Sequence, residues 1–212
     1  MKEIAYLFIG NNIRNIESYP FKENSYLVGI DKGAFLLAKN HIEMDEAIGD
    51  FDSVNTEEYL LIQKYAKKIS TLKKMKDDTD TFAAYQKYKD LASFIEIVGG
   101  IEGKRIEHFL ANLNLLKEDE GITLIDDNSF IKSYSSRPTP YVFKDKEYYS
   151  FFAIEDSLIS LKGFVYPLDN YLLRPDDSLC ISNEINGLKG ELFVHQGRVI
   201  LIKSKFDHRE ND

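Results

Sequence analysis

Two carboxylates separated by one residue, Asp50 and Asp52, follow a short apolar run that ends in Gly49. Residues two apart on an extended chain point to the same side, so both carboxylates can face one spot while Phe51 turns back to pack. Two like charges held close repel each other, and proteins keep such pairs where a cation sits between them. Carboxylate oxygens suit Mg²⁺, which completes its shell with water and substrate phosphates. The same residue types also form solvated turns, so this stretch alone leaves both interpretations open.

A second turn, residues 73–80, places lysines and carboxylates before a predicted helix. In the structural interpretation, Asp77 or Asp78 caps that helix and Asp80 favours its positive end. In the functional interpretation, Lys76 meets an anionic ligand and Asp80 joins the carboxylate cluster. The stretch alone is compatible with both.

A glycine pair, Gly99 and Gly100, follows a buried apolar run and precedes another predicted helix. Such a turn exposes backbone N–H groups and the positive end of the helix dipole, which suits phosphate, and Arg105 adds a bidentate donor. The turn is a near miss to the P-loop pattern, because its glycine spacing is one residue short and Arg105 stands where Ser or Thr should be. It does not match the dinucleotide fingerprint either. A tight turn without a ligand stays open. A lone histidine such as His108 is more often a surface or packing residue.

Composition restricts the functional classes. The 212 residues carry 43% hydrophobic and 29% charged residues, as in a globular protein of one large or two small domains. The net charge of -8 argues against nucleic acid as the main partner. Cys180 is the single cysteine, so no intramolecular disulfide forms and a reducing compartment is expected, with Cys180 serving packing. We see no signal-peptide pattern and no apolar stretch that could cross a membrane, so we expect a cytoplasmic protein.

Apolar runs alternate with helical segments through residue 125, which is typical of an α/β domain. In open α/β folds the carboxyl ends of the strands bind ligands, and Asp31, Asp50 and Asp52 each follow a predicted strand. The helix that ends at residue 116 is expected to bury an apolar stripe made of Ile106, Phe109, Leu110, Leu113 and Leu116. The predicted strands are 4–9, 25–30, 47–48, 68–72, 94–98 and 122–125, and the predicted helices are 34–39, 56–65, one ending near 88 and one ending at 116. For the helix 56–65, the cap is Asn55 or Thr56.

The pattern changes after residue 133. Residues 133–140 read as a linker, and residues 196–197 read as a two-residue hairpin turn. The strands predicted there are 148–154, 158–161, 179–182, 192–195 and 199–202. The expected fold is α/β plus all-β: an N-terminal Rossmann-like, mostly parallel α/β sheet domain over 1–134, followed by a C-terminal β-sandwich over 135–212.

Together these motifs resemble the thiamine pyrophosphokinase family, and the resemblance runs over nearly the whole chain. The segments that carry it are 49–53 (Gly-Asp-Phe-Asp-Ser), 76–80 (Lys-Asp-Asp-Thr-Asp), 99–100, 105–108 with 111–113, 161–168 and 182–184. In this chain Glu107, one methylene longer, replaces the family's aspartate. The chain also has no tryptophan. The aromatic residue that stacks on thiamine in some relatives must therefore be another one, and Tyr166 and Phe164 are candidates.

The resemblance implies an enzyme that converts ATP and thiamine to AMP and thiamine diphosphate. It implies a homodimer whose site lies between one subunit's α/β domain and the other subunit's sandwich. It also implies roles for ten residues: Asp50, Asp52 and Asp80 hold Mg²⁺ and act in catalysis with Arg105; Lys76, Thr79, Arg105 and His108 contact the ATP phosphates or ribose; Asp31 lies near the reacting groups at the ATP site; Ser182 and Asn183 hydrogen-bond the aminopyrimidine of thiamine.

Three alternatives remain. A pyrophosphokinase of the same architecture acts on another alcohol such as a hydroxymethyl pterin, although Ser182 and Asn183 favour thiamine. A non-catalytic thiamine or nucleotide sensor would have lost the metal carboxylates, yet Asp50, Asp52 and Asp80 are present. A dehydrogenase-like dinucleotide binder lacks the required glycine spacing.

Overall fold

The structure is a computed structural model that describes residues 2–10, 13, 16–72, 79–101 and 106–206. The chain divides into two compact units. The first comprises Met1–Leu115 and Gly121–Asp127, and the second comprises Leu116–Glu120 and Asn128–Asp212. Among the helices described in these ranges, none combines the length and the apolar character that a membrane crossing requires.

Within the described residues, the first unit contains six parallel strands. They are β1 (Lys2–Ile9), β2 (Tyr26–Ile30), β3 (Glu46–Gly49), β4 (Ile69–Thr71), β5 (Ala92–Val98) and β6 (Ile122–Ile125). They lie side by side in the order β4, β3, β2, β1, β5, β6, and every pairing between them is parallel. All four residues of β3 are buried, as are the last six of β1. Such continuous burial is what a parallel sheet covered on both faces requires.

Four α-helices accompany these strands: α1 (Lys32–Lys39), α2 (Thr56–Tyr65), α3 (Asp80–Tyr88) and α4 (Ile106–Glu118). Asn55 caps α2, because its side chain accepts the Glu58 N–H while the Glu58 carboxylate accepts the Asn55 N–H. This capping box confirms one of the two predicted caps.

The cap of α3 is Thr79, whose Oγ1 accepts the N–H of Phe82 at 3.1 Å. The predicted capping by Asp77 or Asp78 is therefore wrong, and both residues lie outside the described ranges. A threonine hydroxyl directly before the first helical residue reaches the N–H three positions on.

The apolar stripe predicted on α4 is wrong in part. Leu116 is buried, but Ile106 is 63% exposed and Leu110 is 53% exposed. Asn112 and Leu115 are buried instead. The helix therefore turns towards the interior a face that contains a polar residue, which a count of apolar side chains does not select.

The second unit contains seven strands: β7 (Ser129–Ser135), β8 (Tyr141–Phe143), β9 (Tyr148–Ala153), β10 (Ser157–Lys162), β11 (Leu168–Leu173), β12 (Gly190–Gln196) and β13 (Arg198–Ser204). β13 pairs with β7 and β9, and a separate four-stranded sheet has the order β11, β10, β12, β8. All of these pairings are antiparallel. Buried side chains of β9 and β13 share one hydrophobic cluster with those of β10, β11 and β12.

Helices and parallel strands followed by antiparallel strands are what the sequence predicts at the level of fold class. Three local predictions in the second unit are wrong. Residues 133–135 belong to β7 and not to a linker. Residues 179–182 form no strand, because Leu179 and Ile181 are exposed and Ser182 has φ 54°. Gly197 joins β12 of one sheet to β13 of the other, so these consecutive strands do not form a hairpin.

Candidate active site

Three carboxylates meet in the first unit. One oxygen from each of Asp31, Asp50 and Asp80 lies within 4.8 Å of the other two. Asp31 directly follows β2, Asp50 directly follows β3, and Asp80 is the first residue of α3. Two adjacent parallel strands and one helix start therefore deliver three hard oxygen ligands to one spot.

The backbone holds Asp31 in place. The register pairs Ile30 with Ile48, so the residues that follow, Asp31 and Gly49, are neighbours. The Asp31 N–H donates to the Ile48 carbonyl at 3.0 Å, and its Oδ1 accepts the Phe51 N–H at 3.2 Å. Asp31 and Phe51 both have positive φ, at 47° and 56°. Such conformations are costly for non-glycine residues and are characteristic of functional sites.

The carboxylates act on one another electrostatically. Burial raises the pKa of Asp31, and a hydrogen bond with Asp80 together with the charges of Asp80 and Asp50 raises it further, to about 7. The hydrogen bond from the Phe51 N–H has the opposite, smaller effect. Carboxylates that share a site behave in this way until a cation neutralises them. The donor set fits Mg²⁺, which binds to a few carboxylates and keeps positions for water and phosphate.

Asp52 is placed differently. It is exposed in the turn after β3, and its N–H donates to Asp50 Oδ1 at 3.0 Å. The structure thus brings together two of the three predicted metal residues and adds Asp31, which the sequence analysis placed near the reacting groups. The metal role of Asp52 stays a prediction. Asp31 could be found from sequence by its position directly after a buried strand.

A cavity of about 310 Å³ lies beside Asp50. Its other lining residues come from the loop after β3, the start of α2 and the end of β4: Phe51, Val54, Asn55, Thr56, Tyr59 and Thr71. Of the three carboxylates, Asp50 lines this cavity, whereas Asp31 and Asp80 do not.

The other residues predicted for the ATP site are only partly described. Lys76 and Arg105 lie outside the described residues. Thr79 uses its hydroxyl to cap α3, and His108 is exposed on α4. Packing explains the glycine at position 99, because an added Cβ there would lie 2.4 Å from the carbonyl oxygen of Ile9.

A buried carboxylate that the sequence analysis missed lies at the other end of β3. Glu46 is 2% exposed and accepts hydrogen bonds from Tyr88 at 2.7 Å, from Ser70 and from Lys87. Burial raises the pKa of Glu46, but the hydrogen bonds from Lys87, Ser70 and Tyr88 outweigh it and hold the pKa at about 2. Glu46 therefore ties β3 to β4 and to the end of α3. A single glutamate at the start of a short strand gives no signal of this in the sequence.

In the second unit, Ser182 is exposed and its N–H donates to Ser150 Oγ at 3.0 Å. Asn183 is 3% exposed, and its side chain bonds to the backbone of Tyr166 and Glu184. The two aromatic candidates differ: Phe164 is 3% exposed within the core, whereas Tyr166 is 68% exposed.

Two family models cover most of the chain. Thiamin pyrophosphokinase, catalytic domain, matches residues 19–125, and Thiamin pyrophosphokinase, vitamin B1 binding domain, matches residues 140–198. The chain belongs to the thiamine pyrophosphokinase family. This confirms the family resemblance and the function predicted from the sequence. The chain is a transferase, a thiamine diphosphokinase.

Individual members of the thiamine pyrophosphokinase family are similar over nearly the full length. The thiamine pyrophosphokinase of Bacillus subtilis (strain 168) is 35% identical over 203 residues, which is 92% of this chain and 94% of that protein. A crystal structure of the thiamine pyrophosphokinase from Bacillus subtilis has a TM-score of 0.84 at 32% identity, covering 96% of this chain and 99% of that one. A thiamin pyrophosphokinase family protein from Enterococcus faecalis has a TM-score of 0.79 at 29% identity, with the same two coverages.

Proposed function

We propose that the chain transfers pyrophosphate from ATP to the hydroxyl group of thiamine, giving thiamine diphosphate and AMP, and that the transfer depends on Mg²⁺. The observation that carries the metal dependence is the meeting of Asp31, Asp50 and Asp80 within 4.8 Å. A bound Mg²⁺ supplies charge neutralisation for the phosphate oxygens in the transition state. Asp31 joins the proposed ligand set by geometry, and Asp52 stays in it because of the sequence motif.

The proposed chemistry is an in-line attack of the thiamine hydroxyl on the β-phosphorus of ATP, with AMP as the leaving group. Positioning and electrostatic stabilisation are sufficient for such a transfer, so no covalent enzyme intermediate is required. Arg105 neutralises the charge that grows on the phosphates. Lys76, Thr79 and His108 hold the phosphates or the ribose, and Asp31 also borders the ATP site. The Thr79 hydroxyl caps α3, so its contact with ATP is proposed in addition to this structural role.

Thiamine is proposed to bind to the second unit, with Ser182 and Asn183 assigned to the aminopyrimidine by the sequence motif. Tyr166 is the aromatic residue that we assign to stacking on thiamine, because its ring is exposed while that of Phe164 is buried in the core. Aromatic rings that stack on planar ligands contribute through both apolar area and ring geometry.

The proposed assembly is a cytoplasmic homodimer with the site at the subunit interface. Large apolar side chains exposed on the second unit support burial by a second copy. They are Val165, Tyr166, Leu179 and Ile181. In each subunit we assign a Rossmann-like α/β domain that binds ATP and Mg²⁺, followed by a β-sandwich that binds thiamine. The boundary between the predicted domains 1–134 and 135–212 moves to residues 127 and 128 in this proposal, because β7 belongs to the second unit. The hydrophobic cluster that β9 and β13 share with β10, β11 and β12 supports the sandwich description.

AMP release measured with ATP, Mg²⁺ and either thiamine or a hydroxymethyl pterin tests the substrate. We expect release with thiamine only. AMP release with the pterin alone would contradict thiamine as the substrate and would indicate a pyrophosphokinase of this architecture that acts on another alcohol. Binding of thiamine without any AMP release would favour a non-catalytic sensor.

A further inference from the structure

The side chain of Asn183 is almost fully used inside the protein. Its Oδ1 accepts the N–H groups of Tyr166 and Glu184, both at 3.0 Å, and its Nδ2 donates to the Tyr166 carbonyl at 2.8 Å. With 3% of the residue exposed, little of this amide remains accessible to a ligand. The two bonds to Tyr166 have the pattern of one backbone unit pairing with another in an antiparallel ladder.

This pairing continues a short ladder that is built by the backbone. The Asn186 N–H donates to the Gly163 carbonyl at 2.9 Å, and the Val165 N–H donates to the Glu184 carbonyl at 2.8 Å. The backbone of Asn183 pairs instead with Tyr149 of β9, donating at 2.9 Å and accepting at 2.8 Å. The Asn183 side chain thus supplies the last rung, at the position where its own backbone has turned to another strand.

Tyr166 lies between this ladder and β11, which begins two residues later at Leu168. Pro167 follows Tyr166 and has no N–H to donate to a ladder. Ser182, on the other side, has φ 54°, which is incompatible with an extended strand. Without the Asn183 amide, the N–H and the carbonyl of Tyr166 would lose partners that the structure gives them, and the exposed Tyr166 ring would lose its fixed backbone.

We propose that Asn183 is a positioning residue for thiamine binding: its side-chain amide holds the Tyr166 backbone and so fixes the segment that carries the exposed Tyr166 ring. This inference rests on the proposed function, and it assigns Asn183 a role through Tyr166 in place of a hydrogen bond to the aminopyrimidine. A fixed ring loses less conformational freedom on binding, so the effect appears in thiamine affinity.

A double-mutant cycle on the full-length protein tests the assignment. The variants are Asn183→Ala, Tyr166→Ala and their combination, and the readouts are the Kd for thiamine by calorimetry, the KM for thiamine and the KM for ATP. Each single variant should raise the thiamine Kd on the order of tenfold, as loss of an aromatic contact does. The double variant should raise it no further than Tyr166→Ala alone, because both changes remove the same interaction. The KM for ATP should not change.

Two controls separate positioning from general destabilisation. Ser157→Ala removes a buried hydroxyl that bonds to Arg198 and Glu155 elsewhere in the second unit. It should lower Tm without changing the thiamine Kd. Asn183→Asp is nearly isosteric and keeps the Oδ1 acceptor, but it puts a carboxylate oxygen against the Tyr166 carbonyl in place of the donor. It should therefore raise the thiamine Kd at least as much as Asn183→Ala, and it provides a second Asn183 variant for the same cycle.

Losses that multiply in the double variant would show that Asn183 acts on thiamine independently of Tyr166, and would overturn the inference. An unchanged thiamine Kd in both Asn183 variants would overturn it as well. Failure of the proposed function gives a different result. If the parent protein binds thiamine but releases no AMP, the proposed reaction is contradicted, while the Kd values of the variants still test the role of Asn183. If the parent protein binds no thiamine, both the proposed function and the role of Asn183 are contradicted.

Discussion

A side chain at position 49 and the carboxylate of Asp31 would occupy the same space: a Cβ added to Gly49 would lie 1.9 Å from Asp31 Oδ1. Glycine at the end of β3 is therefore what allows Asp31 to approach Asp50 and Asp80. The glycine of the Gly-Asp-Phe-Asp motif therefore leaves room for the carboxylate of Asp31, which follows the neighbouring strand β2.

Gly49→Ala should consequently displace Asp31 and destabilise the fold by about 1–3 kcal/mol, the usual cost of overpacking. Urea unfolding measures the stability, and Mg²⁺ titration measures the site. Gly187→Ala is the matched control, because Gly187 also has a positive φ, 114°, but nothing within 4 Å of the added Cβ. Equal losses in the two variants would mean that backbone strain, and not the contact with Asp31, sets the cost.

Removing one charge from the carboxylate group should abolish the Mg²⁺-dependent activity while the fold persists. We expect this of Asp50→Asn and Asp80→Asn, because each loses a ligand at a half-buried edge and not a core contact. AMP release and the increase of Tm on adding Mg²⁺ are the measurements. An unchanged Mg²⁺-dependent Tm increase in both variants would contradict the metal site.

Asp52→Asn, in the same series, tests the residue that the sequence motif selects and the geometry leaves outside the group of three. The sequence motif predicts loss of turnover with the fold intact. Turnover and Mg²⁺ dependence close to those of the parent protein would remove Asp52 from the ligand set and leave Asp31 as the third ligand. Asp31→Asn in parallel provides the direct comparison.

Glu46 should make stability depend on acid. Its pKa in the folded protein is about 2, below the ordinary 4.5, so its contribution is fully present above pH 4.5 and is lost as the pH falls towards 2. Glu46→Gln should lower the free energy of unfolding at pH 7 by about 3 kcal/mol, and this difference should shrink as the pH falls through that window. Urea unfolding at pH 7, 4 and 3 tests it. A difference that does not vary with pH would assign the loss to packing.

Leu179 and Ile181 test the proposed dimer. Both are exposed in the single chain, so Leu179→Asp and Ile181→Asp should leave Tm of an isolated subunit nearly unchanged. If a second copy covers them, each substitution should shift the sedimentation profile from dimer towards monomer. Leu188→Asp, at a residue 93% exposed, is the control. A monomeric parent protein would contradict the proposed assembly.

The elements that the sequence predicts well are those whose local signals agree with their tertiary surroundings. Helix α2 begins and ends at the predicted residues, because the Asn55 and Glu58 capping pair marks its start. Strand β6 is also found at its predicted limits. The segment 179–182 has the apolar residues of a strand, but Leu179 and Ile181 are exposed in the folded protein, and exposure depends on tertiary surroundings that no local pattern encodes. The inward face of α4 includes Asn112 for the same reason.

The candidate site shows the same division. Asp50 and Asp80 could be selected from their positions after a strand and at a helix start. The closeness of Asp31 depends on the register of Ile30 with Ile48 and on the unusual backbone of Asp31 itself, which are tertiary properties. The engagement of Asn183 with Tyr166 required coordinates, because the two residues are 17 positions apart.

The hydrogen bonds of Glu46 with Ser70, Lys87 and Tyr88 connect the elements that carry the proposed metal site, at a distance from that site. Strand β3 carries Glu46 at one end and leads to Asp50 at the other, while α3 carries Asp80 at one end and Lys87 and Tyr88 near the other. Strand and helix are thus clamped together on the order of 10 Å from the carboxylates, given their rise per residue. Substitutions at Ser70, Lys87 or Tyr88 should therefore change the distance between the carboxylates of Asp50 and Asp80. The residues proposed to contact the substrate would stay unchanged.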